Sequence, residues 1–282
     1  MDILNAIFLG IIQGLTEFLP VSSSGHLEIG KVLLGQDLDA DESMLMTVVL
    51  HAATALATLV VFRDDVVSIL RGLAALRWNE HAEFAAKVII SMVPAALVGL
   101  TLDEQIEQLF SGNLLLVGAM LIVTGVLLFF ADRAKNTDRD VNFWHAVVIG
   151  ISQAIAILPG ISRSGATIST SVLLGIDRMR AARFSFLMVI PLILGKTAKD
   201  VLDGGLAELG TKSGPSLTLV ALFAGFVAAF LTGILACRWM LQLVKNCQLW
   251  WFSIYCFVVG AISIAYHFLQ ASGAAAVSPG VV

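Results

Sequence analysis

Two stretches of this chain, 113–130 (NLLLVGAMLIVTGVLLFF) and 251–269 (WFSIYCFVVGAISIAYHFL), contain no Asp, Glu, Lys or Arg. About 20 such residues in a helix cross the hydrocarbon core of a bilayer. The rest of the chain agrees with that reading. Only 13% of its residues are charged and 58% are hydrophobic, against roughly 25% and 45–50% in soluble domains. This excludes disorder and argues against an ordinary soluble enzyme, and an all-α polytopic membrane protein is expected. A net charge of -4 leaves no basic stripe for phosphate neutralisation, so a nucleic-acid partner is not expected. The three cysteines, Cys237, Cys247 and Cys256, lack ligand spacing and read as buried packing residues. The first twenty residues lack a basic n-region and carry Gln13 and Glu17. They make a poor signal peptide and are read as part of the fold.

Six segments are long enough to cross: 45–62, 85–102, 113–130, 184–201, 217–236 and 250–269. Segments 3–19 and 26–35 flank a polar loop, and 143–158 and 166–176 flank another. The second member of each pair rises only about 15–17 Å, half the hydrocarbon core. Both pairs are therefore expected to turn back as re-entrant helical hairpins, which requires their loops to be buried in protein or to line a wet cavity. The cations sort by side. Segments 63–87, 131–142, 176–183 and 237–249 hold Arg and Lys in number, whereas 36–44 and 103–112 hold none and 202–216 only Lys212. The positive-inside rule puts the first set in the cytoplasm and both termini outside. Trp144, Trp239, Trp250 and Trp251 sit at span ends, as an aromatic belt would place them. Lys196 and Lys199 read as snorkelling to the outer interface.

The two loops are related. An offset of 140 positions aligns 10–35 with 150–175, pairing Gly10 with Gly150, Gln13 with Gln153, Ser22 with Ser162, Ser24 with Ser164 and Gly25 with Gly165. Apolar bias could match Leu and Val but not these polar positions in register, so the chain is an internal duplication. By the cation census the first hairpin enters from outside and the second from inside, which makes the repeat inverted in topology. One membrane domain over 1–270 is expected, from repeats of about 1–130 and 141–270, with 271–282 a disordered tail. Broken helices in such repeats face one another near the bilayer midplane.

Polar residues at that depth carry the functional reading. Gln13 and Glu17 share a helix face, and an intramembrane carboxylate marks a site or pathway by default. The bland alternative is that Glu17 pairs with Arg163 only to hold the hairpins together. Pro20 stops the first helix, and Ser22, Ser23, Ser24 and His26 follow it. The second loop supplies Ser162, Arg163, Ser164 and Thr167. Hydroxyls ahead of a helix N-terminus form an anion seat, and a guanidinium forks onto phosphate oxygens. One carboxylate, one guanidinium, one imidazole, hydroxyls and two helix N-termini suit a polyanionic phosphate held with a divalent cation. His51, inside an apolar span, could join the site or be an ordinary core histidine.

At these loops the sequence resembles the undecaprenyl-pyrophosphate phosphatases of the bacitracin-resistance family. The family's first motif, (E/Q)xxxE followed by FLPVSS(S/T)GH, matches residues 13–26, and its second, PGxSRSGAT, matches 159–167. The FSFL stretch at 184–187 and Pro191 are similar too. The likeness covers nearly the whole chain, and many members carry Glu where this chain has Gln13. The resemblance implies hydrolysis of undecaprenyl pyrophosphate to the monophosphate lipid carrier of cell-wall synthesis, in a bacterial inner membrane with the site open to the periplasm. It implies catalytic roles for Glu17, Ser23, His26 and Arg163, and phosphate binding by Ser22, Ser24, Ser162, Ser164 and Thr167. A divalent cation, Mg²⁺ or Ca²⁺, would be held by Glu17 with help from Gln13. Ser23 is the favoured nucleophile, with His26 or Glu17 taking its proton; His26 itself and a metal-activated water are the alternatives. The expected partners are a polyprenyl pyrophosphate arriving laterally, membrane lipids, and in a homo-oligomer a second copy of the chain. The competing class is a transporter, which needs the same anion seat but no hydroxyl poised in line.

Overall fold

The computed structural model describes residues 2–34, 40–102, 113–200 and 219–276. Eleven helices are found among them, and the lone strand-like pairing there joins Arg139 to Ile176. The first hairpin is α1 (Ile3–Phe18) and α2 (Ser23–Leu33), followed by α3 (Ala40–Val61), α4 (Arg63–Ala74), α5 (Glu80–Thr101) and α6 (Leu114–Asp132). The second hairpin is α7 (Phe143–Ile155) and α8 (Arg163–Leu173), followed by α9 (Arg178–Asp200), α10 (Leu219–Lys245) and α11 (Trp250–Ala276). The chain is a polytopic helical membrane protein. α5, α6, α10 and α11 are each long and apolar enough to cross, and α3 with α4 makes a fifth candidate, bent by 79°. The sixth expected span lies within α9. With 23 residues it is long enough to cross.

Two expectations about boundaries need correction. The re-entrant helices start at Ser23 and Arg163, three residues before the positions read from sequence. The cause is capping: the Ser162 hydroxyl accepts from Gly165 N–H at 3.0 Å and the Ser22 hydroxyl from Gly25 N–H at 3.3 Å. A serine at this position satisfies a donor that the first helical turn leaves open. The residues expected to be loop hydroxyls and loop guanidinium therefore stand in a first turn. The segment 63–87, expected as a cytoplasmic connection, holds a full helix, α4, and the start of α5.

The helices recur at the same 140-residue offset as the sequence motifs. Ser23–Leu33 maps onto Arg163–Leu173 residue for residue, and α5 and α6 map onto α10 and α11 within a few residues. Packing follows suit: α1 lies along α10 as α7 lies along α5, and α6 lies along α11. Glycines make these crossings close. A Cβ on Gly10 would sit 2.3 Å from Gly225 O, and one on Gly150 would sit 2.5 Å from Ser91 O.

The largest apolar cluster runs between the hairpins and the spans that enclose them, with Phe18, Leu121, Leu128, Phe184, Met188 and Met240 inside it. Cys237 and Cys256 are buried as expected, whereas Cys247 is only half-buried. It takes the turn after α10 in a left-handed conformation, φ 54°. α11 continues to Ala276, six residues into the stretch expected to lack order. Residues 277–282, the segments 103–112 and 202–216, the stretch 35–39 and the side chains of Lys196 and Lys199 lie outside the described residues.

Candidate active site

Proline breaks each hairpin. Leu19, before Pro20, is extended at φ -70°, ψ 141°, as a residue preceding proline must be. The chain then turns through Val21 and through Ser22 at φ 71°, and α2 starts. In the second hairpin the left-handed residue is Gly160, φ 96°. A Cβ there would lie 2.4 Å from Val117 O, so only glycine lets this loop rest on α6. Thr124 of α6 pins the same loop, its hydroxyl accepting from Ser162 N–H at 3.1 Å. The loops touch each other where Gly25 approaches Gly160.

Glu17 stands one residue from the end of α1, with its side chain only 4% exposed. That burial demands partners, and three elements supply them. Gln13 Nε2, one turn earlier on α1, donates to Glu17 Oε2 at 3.0 Å. Ser23 Oγ, in the first turn of α2, donates to the same oxygen at 2.7 Å. Arg163, in the first turn of α8, donates to Oε1. The carboxylate thus bridges the two hairpins. From α3, His51 brings Nε2 to 3.8 Å of Oε2, while its Nδ1 lies 2.8 Å from Thr47 O. A cavity of about 10 Å³, the space of roughly one water, lies beside the pair, lined by Glu17, Phe18, Arg163, Ser164, Ser185, Phe186 and Val189.

The candidate residues therefore divide. Gln13, Glu17, Ser23 and Arg163 converge on one point, and Ser164 stands next to them, its hydroxyl 3.4 Å from Leu19 O. Ser22 and Ser162 are buried helix caps, and Ser24 meets Ser22 hydroxyl to hydroxyl at 3.3 Å. The Thr167 hydroxyl is turned inward, donating to Arg163 O at 2.8 Å and facing the Ser185 hydroxyl. His26 has other partners, with Nδ1 2.8 Å from Ser22 O and Nε2 2.7 Å from the Tyr255 hydroxyl. Sequence reasoning left His51 undecided, met Ser185 only within the FSFL stretch, and did not single out Tyr255.

Among the described residues no three His, Cys, Asp or Glu side chains cluster as a metal cage. The donor set nonetheless leaves one ligand in hand: Gln13 Oε1 is buried without a hydrogen-bond partner, on the side chain already bonded to Glu17. A carboxylate and an amide oxygen suit Mg²⁺ or Ca²⁺, which commonly take remaining ligands from water and phosphate.

A hydroxyl donating to a buried carboxylate beside a guanidinium is the arrangement of an activated nucleophile facing an anion. Comparison with known proteins points the same way. Residues 6–262 match the family described as bacitracin resistance protein BacA. An undecaprenyl-diphosphatase of Christiangramia forsetii is 60% identical over 270 residues, covering 96% of this chain and 100% of the relative. Proteins of the same name from Bacteroides fragilis and Alkaliphilus metalliredigens are 43% and 37% identical, over 96% and 95% of this chain and all of each relative.

Proposed function

This chain belongs to the bacitracin resistance protein BacA family, and from that premise we propose how its site works as an undecaprenyl-diphosphatase. The enzyme is an integral membrane phosphatase that releases inorganic phosphate from undecaprenyl pyrophosphate. It returns the monophosphate lipid carrier to cell-wall synthesis, and bacitracin resistance accompanies that activity.

The observation that carries the mechanism is the 2.7 Å hydrogen bond from Ser23 Oγ to Glu17 Oε2, with Arg163 on the other carboxylate oxygen. Ser23 attacks the terminal phosphorus as its proton passes to Glu17. The P–O bond to the bridging oxygen breaks, and the lipid monophosphate leaves with that oxygen and the proton from Glu17, which is a carboxylate again. Water then attacks the phosphoserine as Glu17 first takes its proton and next returns one to Ser23 Oγ, releasing inorganic phosphate. Glu17 thus ends each half-reaction as a carboxylate. Phosphoryl transfer is chiefly positioning and charge stabilisation, which is the part assigned to Arg163: it moves from the carboxylate to the equatorial phosphate oxygens. The cavity holds about one water, so substrate entry requires the Glu17–Arg163 contact to part.

Glu17 and Gln13 Oε1 would hold the divalent cation, which supplies charge neutralisation on the pyrophosphate oxygens when bound. The cation-rich segments support a cytoplasmic-membrane location with the first hairpin reached from outside. The partial exposure of Ser23, Ser24 and His26 supports a mouth on that side. The prenyl chain enters laterally along apolar helix surfaces.

The test is phosphate release from a C55 or shorter prenyl pyrophosphate by the purified full chain, with Mg²⁺ or Ca²⁺ and then with EDTA. Cation-dependent release, lost in Glu17→Ala and Arg163→Ala, is expected. Substantial release by Ser23→Ala would transfer the attack to water or His26. Absence of release from folded wild type that still binds the lipid would sink the enzyme and leave transport.

A further inference from the structure

His26 is the candidate catalytic residue that the Glu17 contacts leave out, and its partners define what it can do. Its Nδ1 lies 2.8 Å from the carbonyl oxygen of Ser22. A carbonyl only accepts, so Nδ1 carries the hydrogen and a neutral imidazole has its lone pair on Nε2. That nitrogen lies 2.7 Å from the Tyr255 hydroxyl, which must then be the donor. The two rings also stack, with centroids 5.6 Å apart and planes inclined by 15°. Hydrogen bonds at both ring nitrogens set the orientation of the imidazole.

Tyr255 is itself held. It lies on α11, 229 residues along the chain from His26, and its neighbours fasten that helix to the site. Ser253 Oγ donates to Gly125 O at 2.7 Å on α6, and Cys256 Sγ lies 3.7 Å from Pro20 O in the first hairpin loop. Both Ser253 and Cys256 are buried, while Tyr255 is 42% exposed. The ring therefore stands at the edge of the site with its hydroxyl turned inward.

We propose that Tyr255 is a positioning residue of this phosphatase: lying alongside His26 and donating to its Nε2, it fixes the Nδ1–H tautomer and the orientation of the imidazole. A water that takes the place of the tyrosine hydroxyl on Nε2 meets an acceptor whose orientation is already set. The kinetic consequence rests on the phosphatase reading, whereas the tautomer rests on the contact alone.

The experiment uses the full chain in detergent, labelled with ¹⁵N-histidine, as wild type, Tyr255→Phe and His26→Asn, the last to assign the His26 resonances. Wild type is expected to show an Nδ1–H tautomer with a hydrogen-bonded Nε2. Tyr255→Phe keeps the stacked ring but should move the Nε2 resonance and admit the second tautomer, at unchanged thermal stability. In the phosphatase assay kcat should fall about tenfold, the loss of roughly one hydrogen bond, with KM within twofold of wild type. Unchanged His26 nitrogen shifts in Tyr255→Phe overturn the proposal. So does a raised KM at unchanged kcat, which makes Tyr255 a lipid contact only. If wild type releases no phosphate the phosphatase reading fails, and the nitrogen spectra still decide the contact.

Discussion

Two serines 140 positions apart do the same structural work at the starts of α2 and α8. Ser22 and Ser162 each accept a hydrogen bond from the glycine three residues on, which makes them caps. Losing a cap costs about 1 kcal/mol. Ser22→Ala and Ser162→Ala should therefore lower the melting temperature by a few degrees, roughly 2–4 °C, while kcat/KM stays within a few-fold. Ser23→Ala should do the reverse, losing about 10³-fold or more in rate with stability kept. Loss of phosphate release at unchanged melting temperature in Ser22→Ala would identify it as a phosphate ligand instead. Arg163→Lys separates charge from shape. One ammonium cannot fork onto two equatorial oxygens, so kcat should fall by about 10²–10³ with the fold intact, read by initial rates beside a melting curve. Glu17 and Arg163 were legible because a carboxylate and a guanidinium are costly in apolar surroundings. The approach of His51 to 3.8 Å was not, since a lone polar residue in an apolar span carries no sign of what packs against it.

Helix contacts were legible in part. The glycines of α1 and α7 stood out as paired positions in the duplication, but what each meets depends on tertiary packing. Gly10 lets α1 press on the backbone of α10, and Gly150 lets α7 press on α5. Overpacking a close crossing costs roughly 1–3 kcal/mol. Gly10→Leu and Gly150→Leu should each lower the melting temperature clearly, and Gly10→Leu should also cut activity because α1 carries Glu17. Gly99→Ala is the control: a Cβ there meets nothing within 4 Å, and replacing a helical glycine in open space stabilises by up to about 1 kcal/mol. Equal melting temperatures for Gly10→Leu and Gly99→Ala would refute the close crossing. α4 was the element missed outright. Its signal was present in Val66, Ile69, Leu70 and Leu73 at helical spacing, with Asp64 and Asp65 in the first turn and Arg71 in the last. A cation count treats such a segment only as a cytoplasmic connection.

The duplication explains why one site exists rather than two. Under the 140-residue offset Glu17 corresponds to Ile157, Ser23 to Arg163 and His26 to Ala166. The first hairpin kept the carboxylate, the hydroxyl and the imidazole, while the second kept the guanidinium, and the site needs both loops at one depth. Glu17 and Arg163 are in contact across 146 positions of sequence, so the loops do meet. If the hairpins enter from opposite sides, as the cations indicate, two meeting tips mean that neither hairpin crosses. Cation counting alone could not reach this, because a returning hairpin and a double crossing leave the next segment on the same side. A labelling experiment can. In a chain with Cys237, Cys247 and Cys256 replaced by alanine, Leu76→Cys and Lys135→Cys should react with an impermeant maleimide only from the cytoplasmic face. Gln105→Cys and Ser213→Cys should react only from the outer face. Ser24→Cys, at the tip of the first hairpin, is the discriminating position: it should react from outside, slowly, because the tip is only partly exposed. Reaction of Ser24→Cys from the cytoplasm would mean that α1 crosses the bilayer. The Glu17–Arg163 contact would then join loops on the inner side, and the mouth of the site would open there.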